Sequence, residues 1–298
     1  MQVFDIPTDD TLRETRQHGD IDFPFQSYLD DINRFFGESV PWHWHAEFEF
    51  IMVSQGTVVC FVGNREYTLH QGEGMFINSG TIHRFESPDH GLMPNILFLP
   101  EFLAPQGSLI YNQYIKPLLA ADFPCLFLSP EISWQKQLLS QFDQLYKTAD
   151  SQELLHREWS LYTQTISLWN TLFFHLDPSI LSQKATAHSQ LPQARLQKMI
   201  EYITRNYAAK ITLSQIAASA SVSKSEALRC FQNTIHTTPV EYLIQYRLSQ
   251  AVHRLTTSNS TITEIALTCG FSSTSYFCRT FQKVYGQTPS AFRQDARK

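Results

Sequence analysis

The stretch HWHAEFE, His43 to Glu49, sets two histidines one residue apart and a glutamate four residues past the second. Imidazole nitrogens and a carboxylate at this spacing suit a divalent transition ion in a small β-barrel. In an extended strand His43, His45, Glu47 and Glu49 share one face, while Trp42, Trp44, Phe48 and Phe50 share the other. One face is then polar and the opposite one packs, and Glu47 rivals Glu49 as a ligand. The same residues fit three uses: a metal centre, a pocket lining that meets a small molecule by hydrogen bonds, or a barrel rim with no ligand.

These side chains need strands to hold them, and the text from Trp42 to Leu99 supplies them. FEFIMVS, TVVCFV, REYTLH, MFIN, IHRFES and NILFLP are short apolar runs separated by turn residues, the pattern of a barrel or sandwich. Gly63-Asn64 is a hairpin turn signal between two of them. From Glu131 to His175 the apolar spacing becomes three-to-four, with Leu138, Phe142, Leu145, Leu154, Leu155, Trp159, Tyr162, Ile166 and Trp169 along helices. The segment DPSILSQKATAHSQLPQ, 177–193, is polar, lacks sustained periodicity and reads as an interdomain linker.

The net charge of -5 conceals an asymmetry. Residues 191–298 hold 13 Lys and Arg against 5 Asp and Glu, which leaves 10 against 23 for residues 1–190. The basic end suits a polyanion, and the acidic remainder does not. No long apolar run suggests a membrane span, and the polar N-terminus does not read as a signal peptide. Cys60, Cys125, Cys230, Cys269 and Cys278 form an odd set without C-x-x-C, as expected of reduced thiols in a cytoplasmic protein.

The basic end repeats itself. The segment from Thr212 aligns with that from Thr261, one extra residue near Ser273 keeping register, and eleven positions are identical. Roughly two matches are expected by chance. Each copy opens with a capping box, Thr212-x-x-Gln215 and Thr261-x-x-Glu264, followed by a short helix, a tight turn and a second helix; Ser223-x-x-Glu226 is a further box. That is a helix-turn-helix used twice. On the second helices Ala227 and Phe231, like Phe277 and Phe281, form the inward stripe. Ser225 and Arg229, like Ser275 and Arg279, lie about 200° away and point outward with Leu228 and Cys278, as major-groove reading requires. Thr238-Pro239 and Thr288-Pro289 start further helices; the one after Pro239, roughly 25 Å long, would set two reading helices near one turn of DNA, about 34 Å, apart.

The segments LSQIA, SKSEALRCFQ, TTPVEYLIQYRLSQA and ITEIALTCGFSSTSYFCRTFQKVYGQTPSAFR resemble the AraC/XylS family of bacterial transcription regulators over about 196–293. The resemblance implies two helix-turn-helix units on promoter DNA. Its DNA-binding residues here are Lys224, Ser225, Leu228 and Arg229 in copy one, and Thr274, Ser275, Tyr276, Cys278 and Arg279 in copy two. Two departures fall in copy one: His236 stands where glycine is usual, and Ala227 replaces a larger apolar residue.

The other end resembles the cupin-type sensor domains that often precede this module. His43-x-His45-x3-Glu49-x6-Gly56 matches the first cupin motif, and Gly74-x5-Gly80-x2-His83 approximates the second, with Asn78 where proline is common. This implies a possible divalent metal on His43, His45, Glu49 and His83, and an effector site of His43, His45, Glu47, Glu49 and His83. The expected fold is α+β and multidomain: a cupin-like effector-binding β-barrel over 1–130, a helical dimerisation and support region over 131–176, a linker over 177–193, and an all-α DNA-binding domain over 194–298. The expected function is a ligand-responsive transcription regulator, not an enzyme. Its expected partners are double-stranded promoter DNA, a small-molecule effector such as a sugar, a second copy in a homodimer and, for an activator, RNA polymerase, with no membrane. The alternatives are a cupin metalloenzyme, a dioxygenase or isomerase, with an appended nucleic-acid module, and a constitutive DNA binder whose barrel serves assembly.

Overall fold

The structure, a computed structural model, describes residues 6–35, 38–63, 65–151, 155–182 and 187–295. It divides into two units, Met1–Leu191 and Pro192–Lys298. The first contains strands β1 (Phe25–Asp31), β2 (Ser39–His43), β3 (Phe48–Met52), β4 (Thr57–Val62), β5 (Arg65–His70), β6 (Gly74–Ile77), β7 (His83–Glu86), β8 (Leu92–Phe98) and β9 (Cys125–Leu128). They form two antiparallel sheets, ordered β1-β8-β3-β6-β9 and β2-β7-β4-β5. The expected cupin-like β-barrel takes the form of two stacked sheets that are not closed into one among the described residues. β4 shows why they stack: Val58, Cys60 and Val62 alternate inward and meet Ile51, Met75, Ile77 and Met93 of the facing sheet.

The five-stranded sheet is buried on both faces. Phe48, Phe50, Phe76, Ile96 and Phe98 turn away from the partner sheet into a second core. That core is closed by α1 (Pro100–Leu103), a π-helical turn over Tyr111–Ile115, α2 (Lys116–Leu119), α3 (Ser133–Asp150) and α4 (Arg157–His175). Of the side chains behind the 131–176 periodicity, Leu138, Phe142, Leu145 and Trp169 are buried there and Tyr162 and Ile166 pack partly against it, but Leu155 and Trp159 are exposed. Leu161, Leu168 and Leu172 fill the α4 side instead, and Trp169 lies tilted 4.6 Å from Phe48. Gly74 lets α3 approach, since a Cβ there would stand 2.4 Å from the Ile51 carbonyl and 2.8 Å from Leu139. Gly63 takes the left-handed conformation expected of the hairpin turn, while Asn64 lies outside the described residues.

The boundary after Leu191 falls within the span read as linker, but much of that span is helical: α5 covers Pro178–Ser182 and α6 covers Ala187–Asn206. Asp177 caps α5, its carboxylate accepting from Ser179 N at 2.8 Å, and Pro178 opens the helix where no N–H is needed. Pro178 is thus a helix start signal within the span read as linker. Residues 183–186, Leu154 and the matched Arg297 lie outside the described residues.

The second unit is all helix: α6 leads to α7 (Leu213–Ser219), α8 (Lys224–Ile235), α9 (Pro239–Thr257), α10 (Ile262–Thr268), α11 (Thr274–Tyr285) and α12 (Pro289–Asp295). Thr212, Thr238 and Thr261 each form a complete capping box. The inward stripes hold, with Ala227, Phe231, Phe277 and Phe281 fully buried. α9 packs against both copies, through Tyr242 on Phe231 at 5.8 Å and through Leu248, Ala251 and Leu255 in the core of copy two.

Candidate functional site

HWHAEFE is not one strand. His43 ends β2 in one sheet and Glu49 lies in β3 of the other, so the chain crosses between sheets at 44–47. The corner is pinned by Gly80 N donating to the His45 carbonyl at 2.8 Å and Ser79 Oγ donating to the Ala46 carbonyl at 2.7 Å. The face sharing expected of a single strand therefore fails, although the residues converge by another route. His43 and His83 are cross-strand partners on β2 and β7, their rings 4.2 Å apart. Alternation in β3 turns Phe48 and Phe50 to the helices and Glu49 inward.

His43, His45 and His83 each offer a ligand atom, all within 4.8 Å of one another. Glu49 Oε2 stands 3.4 Å from His45 Nε2 and 3.2 Å from His83 Nε2. The four residues are at most 3% exposed. Backbone carbonyls fix two rings: His43 Nδ1 donates to Pro41 O at 2.8 Å and His83 Nδ1 donates to Thr81 O at 2.9 Å, a tautomer that leaves each Nε2 with a free lone pair. Glu47 lies behind His45, 3.6 Å from Nδ1, on the nitrogen opposite to the one facing Glu49. Burial works against the Glu49 carboxylate, but the two imidazoles outweigh it and hold its pKa below the usual range. Burial, then the neighbouring His83 and His45, push His43 well below an ordinary histidine.

His45 Nε2, His83 Nε2 and Glu49 Oε2 are buried without an aligned hydrogen bond. Such atoms are costly to strand, and a divalent cation accepting all three would satisfy them. The donor set of three imidazoles and a carboxylate fits a transition ion.

The cavity beside this cluster has walls that sequence reasoning missed: Glu14, Arg16, His18, Tyr28, Asp30 and Asn95 line it with His43, His45 and Glu49. It encloses about 20 Å³, room for about one water or ion. Trp44 holds the N-terminal wall in place, its Nε1 donating to Thr11 O at 3.0 Å and its backbone pairing with Leu12 and Glu14. His18 lies 3.2 Å from Glu14 and meets the Tyr28 hydroxyl at 3.0 Å. Asn95 donates to Asp30 Oδ2 at 2.6 Å; burial first, then Glu49, raise the Asp30 carboxyl to about 7. Residues 6–18 form no regular helix or strand, so no periodicity could have announced them.

In the second unit Lys224, Ser225, Arg229, Ser275 and Arg279 are exposed, Leu228 and Tyr276 are 38% exposed, and Thr274 is half-buried. All nine expected DNA-facing residues sit on α8 or α11, but Cys278 is partly buried against the core of copy two instead of projecting freely. Among the described residues no helix is long and apolar enough to cross a membrane.

Residues 216–295 match the model of a helix-turn-helix domain family, and residues 36–93 match that of the cupin domain. The uncharacterized HTH-type transcriptional regulator YdeC of Bacillus subtilis (strain 168) is 28% identical over 290 residues, covering 96% of this chain and 97% of its own. The HTH-type transcriptional activator RhaS of Yersinia pestis (strain Pestoides F) is 26% identical over 259 residues, covering 85% and 89%. A crystal structure of a transcriptional regulator with an AraC-type DNA-binding domain, from Chromobacterium violaceum, covers 37% of this chain and 96% of its own at 28% identity, with a TM-score of 0.34. The chain thus matches a cupin domain ahead of a helix-turn-helix domain, and over most of its length it is similar to HTH-type transcriptional regulators.

Proposed function

We propose that this protein controls transcription from promoter DNA read by α8 and α11, and that occupancy of the three-histidine site sets its competence to do so. One observation carries the DNA reading: both helices bury a phenylalanine core and leave an arginine exposed at the same turn, Arg229 and Arg279. Lys224, Ser225, Leu228, Thr274, Ser275, Tyr276 and Cys278 flank them on the same helices.

His43, His45, Glu49 and His83 are the residues that would hold a divalent cation, with Glu47 orienting His45. When bound, the ion supplies a Lewis-acidic centre with open positions for an oxygen ligand. The effector is a small hydroxyl-bearing molecule, a sugar or sugar derivative, for which Glu14, Asp30 and the Asn95 carbonyl are acceptors. The present cavity admits one water or ion, so a larger effector enters only as residues 6–18 shift. Effector control then requires different affinities for DNA-competent and incompetent states. Exposed Trp159 and Phe174 on α4 support a homodimer through the helical region. A cytoplasmic location and, for an activator, contact with RNA polymerase belong to the same reading; catalysis does not.

The test combines metal analysis of purified protein with footprinting on its own upstream DNA, with and without candidate sugars. Specific protection that shifts with metal or sugar supports the proposal. Stoichiometric metal with turnover and no specific protection would overturn it in favour of a cupin metalloenzyme.

A further inference from the structure

Glu226 departs from the capping pattern of the second unit. Ser223 caps α8, its hydroxyl accepting from Glu226 N at 3.1 Å, yet the reciprocal half of the box is missing. At Thr212, Thr238 and Thr261 the N3 side chain does return to the cap. The Glu226 carboxylate is engaged elsewhere: Oε1 meets Arg195 Nη1 of α6 at 2.9 Å, and Oε2 meets Arg229 Nη2 at 2.6 Å. Both oxygens are used, and the carboxylate bridges two guanidiniums.

The two copies differ here. Tyr276 stands at the position of Glu226 in copy two, and among the described residues Arg279 has no ion pair. Exposed ion pairs add little stability, so the bridge matters mainly through direction. Arg229 keeps 65% of its side chain exposed with one edge of the guanidinium held by Glu226. The rest of the planar fork is free for a bidentate contact. Arg195 in turn fixes the carboxylate from α6.

We propose that Arg195 and Glu226 are positioning residues that orient Arg229 toward guanine, making base preference under α8 depend on a side chain of α6. This rests on the reading of DNA by α8. A side chain already ordered loses less freedom on binding, and that saving appears at the base pair it contacts.

The test uses the full chain, a preferred duplex selected from a randomised pool, and single-base variants of that duplex. Arg229→Ala identifies the base pair under Arg229. Glu226→Gln and Arg195→Ala should each lower preference at that same pair by about fivefold, leave affinity for random DNA unchanged, and add nothing in the Arg229→Ala background. Arg195→Ala leaves α8 itself intact, and thermal melting checks folding of every variant. Uniformly tighter DNA binding by Glu226→Gln would mean that the carboxylate masks Arg229 and would overturn the proposal. A changed preference at a different base pair, or none, would also overturn it. Loss of preference with Arg229→Ala but not with Glu226→Gln defeats the relay alone; no effect of Arg229→Ala defeats base reading by that arginine.

Discussion

Asp30 shares the cavity with Glu49 and gives the first unit a pH dependence that can be worked out in sign. Its folded pKa of about 7 exceeds the unfolded reference of 3.8, because burial and the Glu49 charge disfavour its ionised form. The folded chain therefore holds this proton more tightly than the unfolded chain. The stabilisation is complete below the unfolded value and is lost as pH rises through about 7. Asp30→Asn removes that titration, so the melting temperature of the variant should fall less between pH 5 and pH 8 than that of the parent; equal falls would assign the dependence to other groups. At the histidines, His83→Ala removes one of the buried nitrogens left without an aligned hydrogen bond. Equilibrium dialysis against zinc should show binding by the parent, lost in the variant, and the zinc-dependent rise in melting temperature should vanish with it. The histidines and Glu49 were legible from residue type and motif spacing, although no single strand carries them: His43, Glu49 and His83 sit on β2, β3 and β7. Glu14, Arg16, His18, Tyr28, Asp30 and Asn95 were not, because an irregular segment and two strands distant in sequence bring them together.

The duplicated helix-turn-helix shows how one element tolerates different residues at the same backbone angle. Copy two has Gly270 in the turn and Gly286 after its second helix, both left-handed, with φ of 83° and 71°. The matching positions in copy one are Ser221 and His236, with φ of 56° and 50°. A side chain in this region costs about 1 kcal/mol or more, so His236→Gly should stabilise the domain by up to about 1 kcal/mol, reduced by the extra freedom glycine gives the unfolded chain. Urea unfolding measures it, and a loss of stability would mean that the contacts of His236 outweigh its backbone strain. Gly270 is bound more tightly, since a Cβ would stand 2.4 Å from the Tyr207 carbonyl, beside the carbonyls to which Arg247 donates. Gly270→Ala should therefore destabilise by roughly 2 kcal/mol or more, read by the same titration. The capping boxes at Thr212 and Thr261, the Thr-Pro starts and the inward phenylalanines were legible because each is written within one turn of helix, whereas the Ser223-x-x-Glu226 box forms only its hydroxyl half. The corner in HWHAEFE was not, because alternation of polar and apolar residues looks the same whether a strand continues or passes to the other sheet. The 177–193 span misled for a related reason: a proline at N1 and a proline in a loop look alike in sequence.

Across the whole molecule, the division of charge gives DNA binding its dependence on conditions. The 13 cationic side chains against 5 acidic ones after residue 190 all belong to the helical unit, while the first unit is strongly acidic. Attraction to phosphate releases counterions, so affinity for any duplex should fall linearly with salt on logarithmic axes, with a slope near -0.9 for each phosphate neutralised. That slope separates the two roles open to Arg279, which is exposed on α11 and has no carboxylate beside it equivalent to Glu226. A guanine contact is neutral in this balance but specific in sequence. Arg279→Ala should then cost about 1 to 3 kcal/mol on the preferred duplex, little on random DNA, and leave the salt slope unchanged. A phosphate contact would give equal losses on both duplexes and a slope shallower by about one. Binding isotherms for parent and variant on the two duplexes over a salt series decide between them. Equal losses with the shallower slope would make Arg279 an anchor and leave base discrimination in copy two to Ser275 and Tyr276.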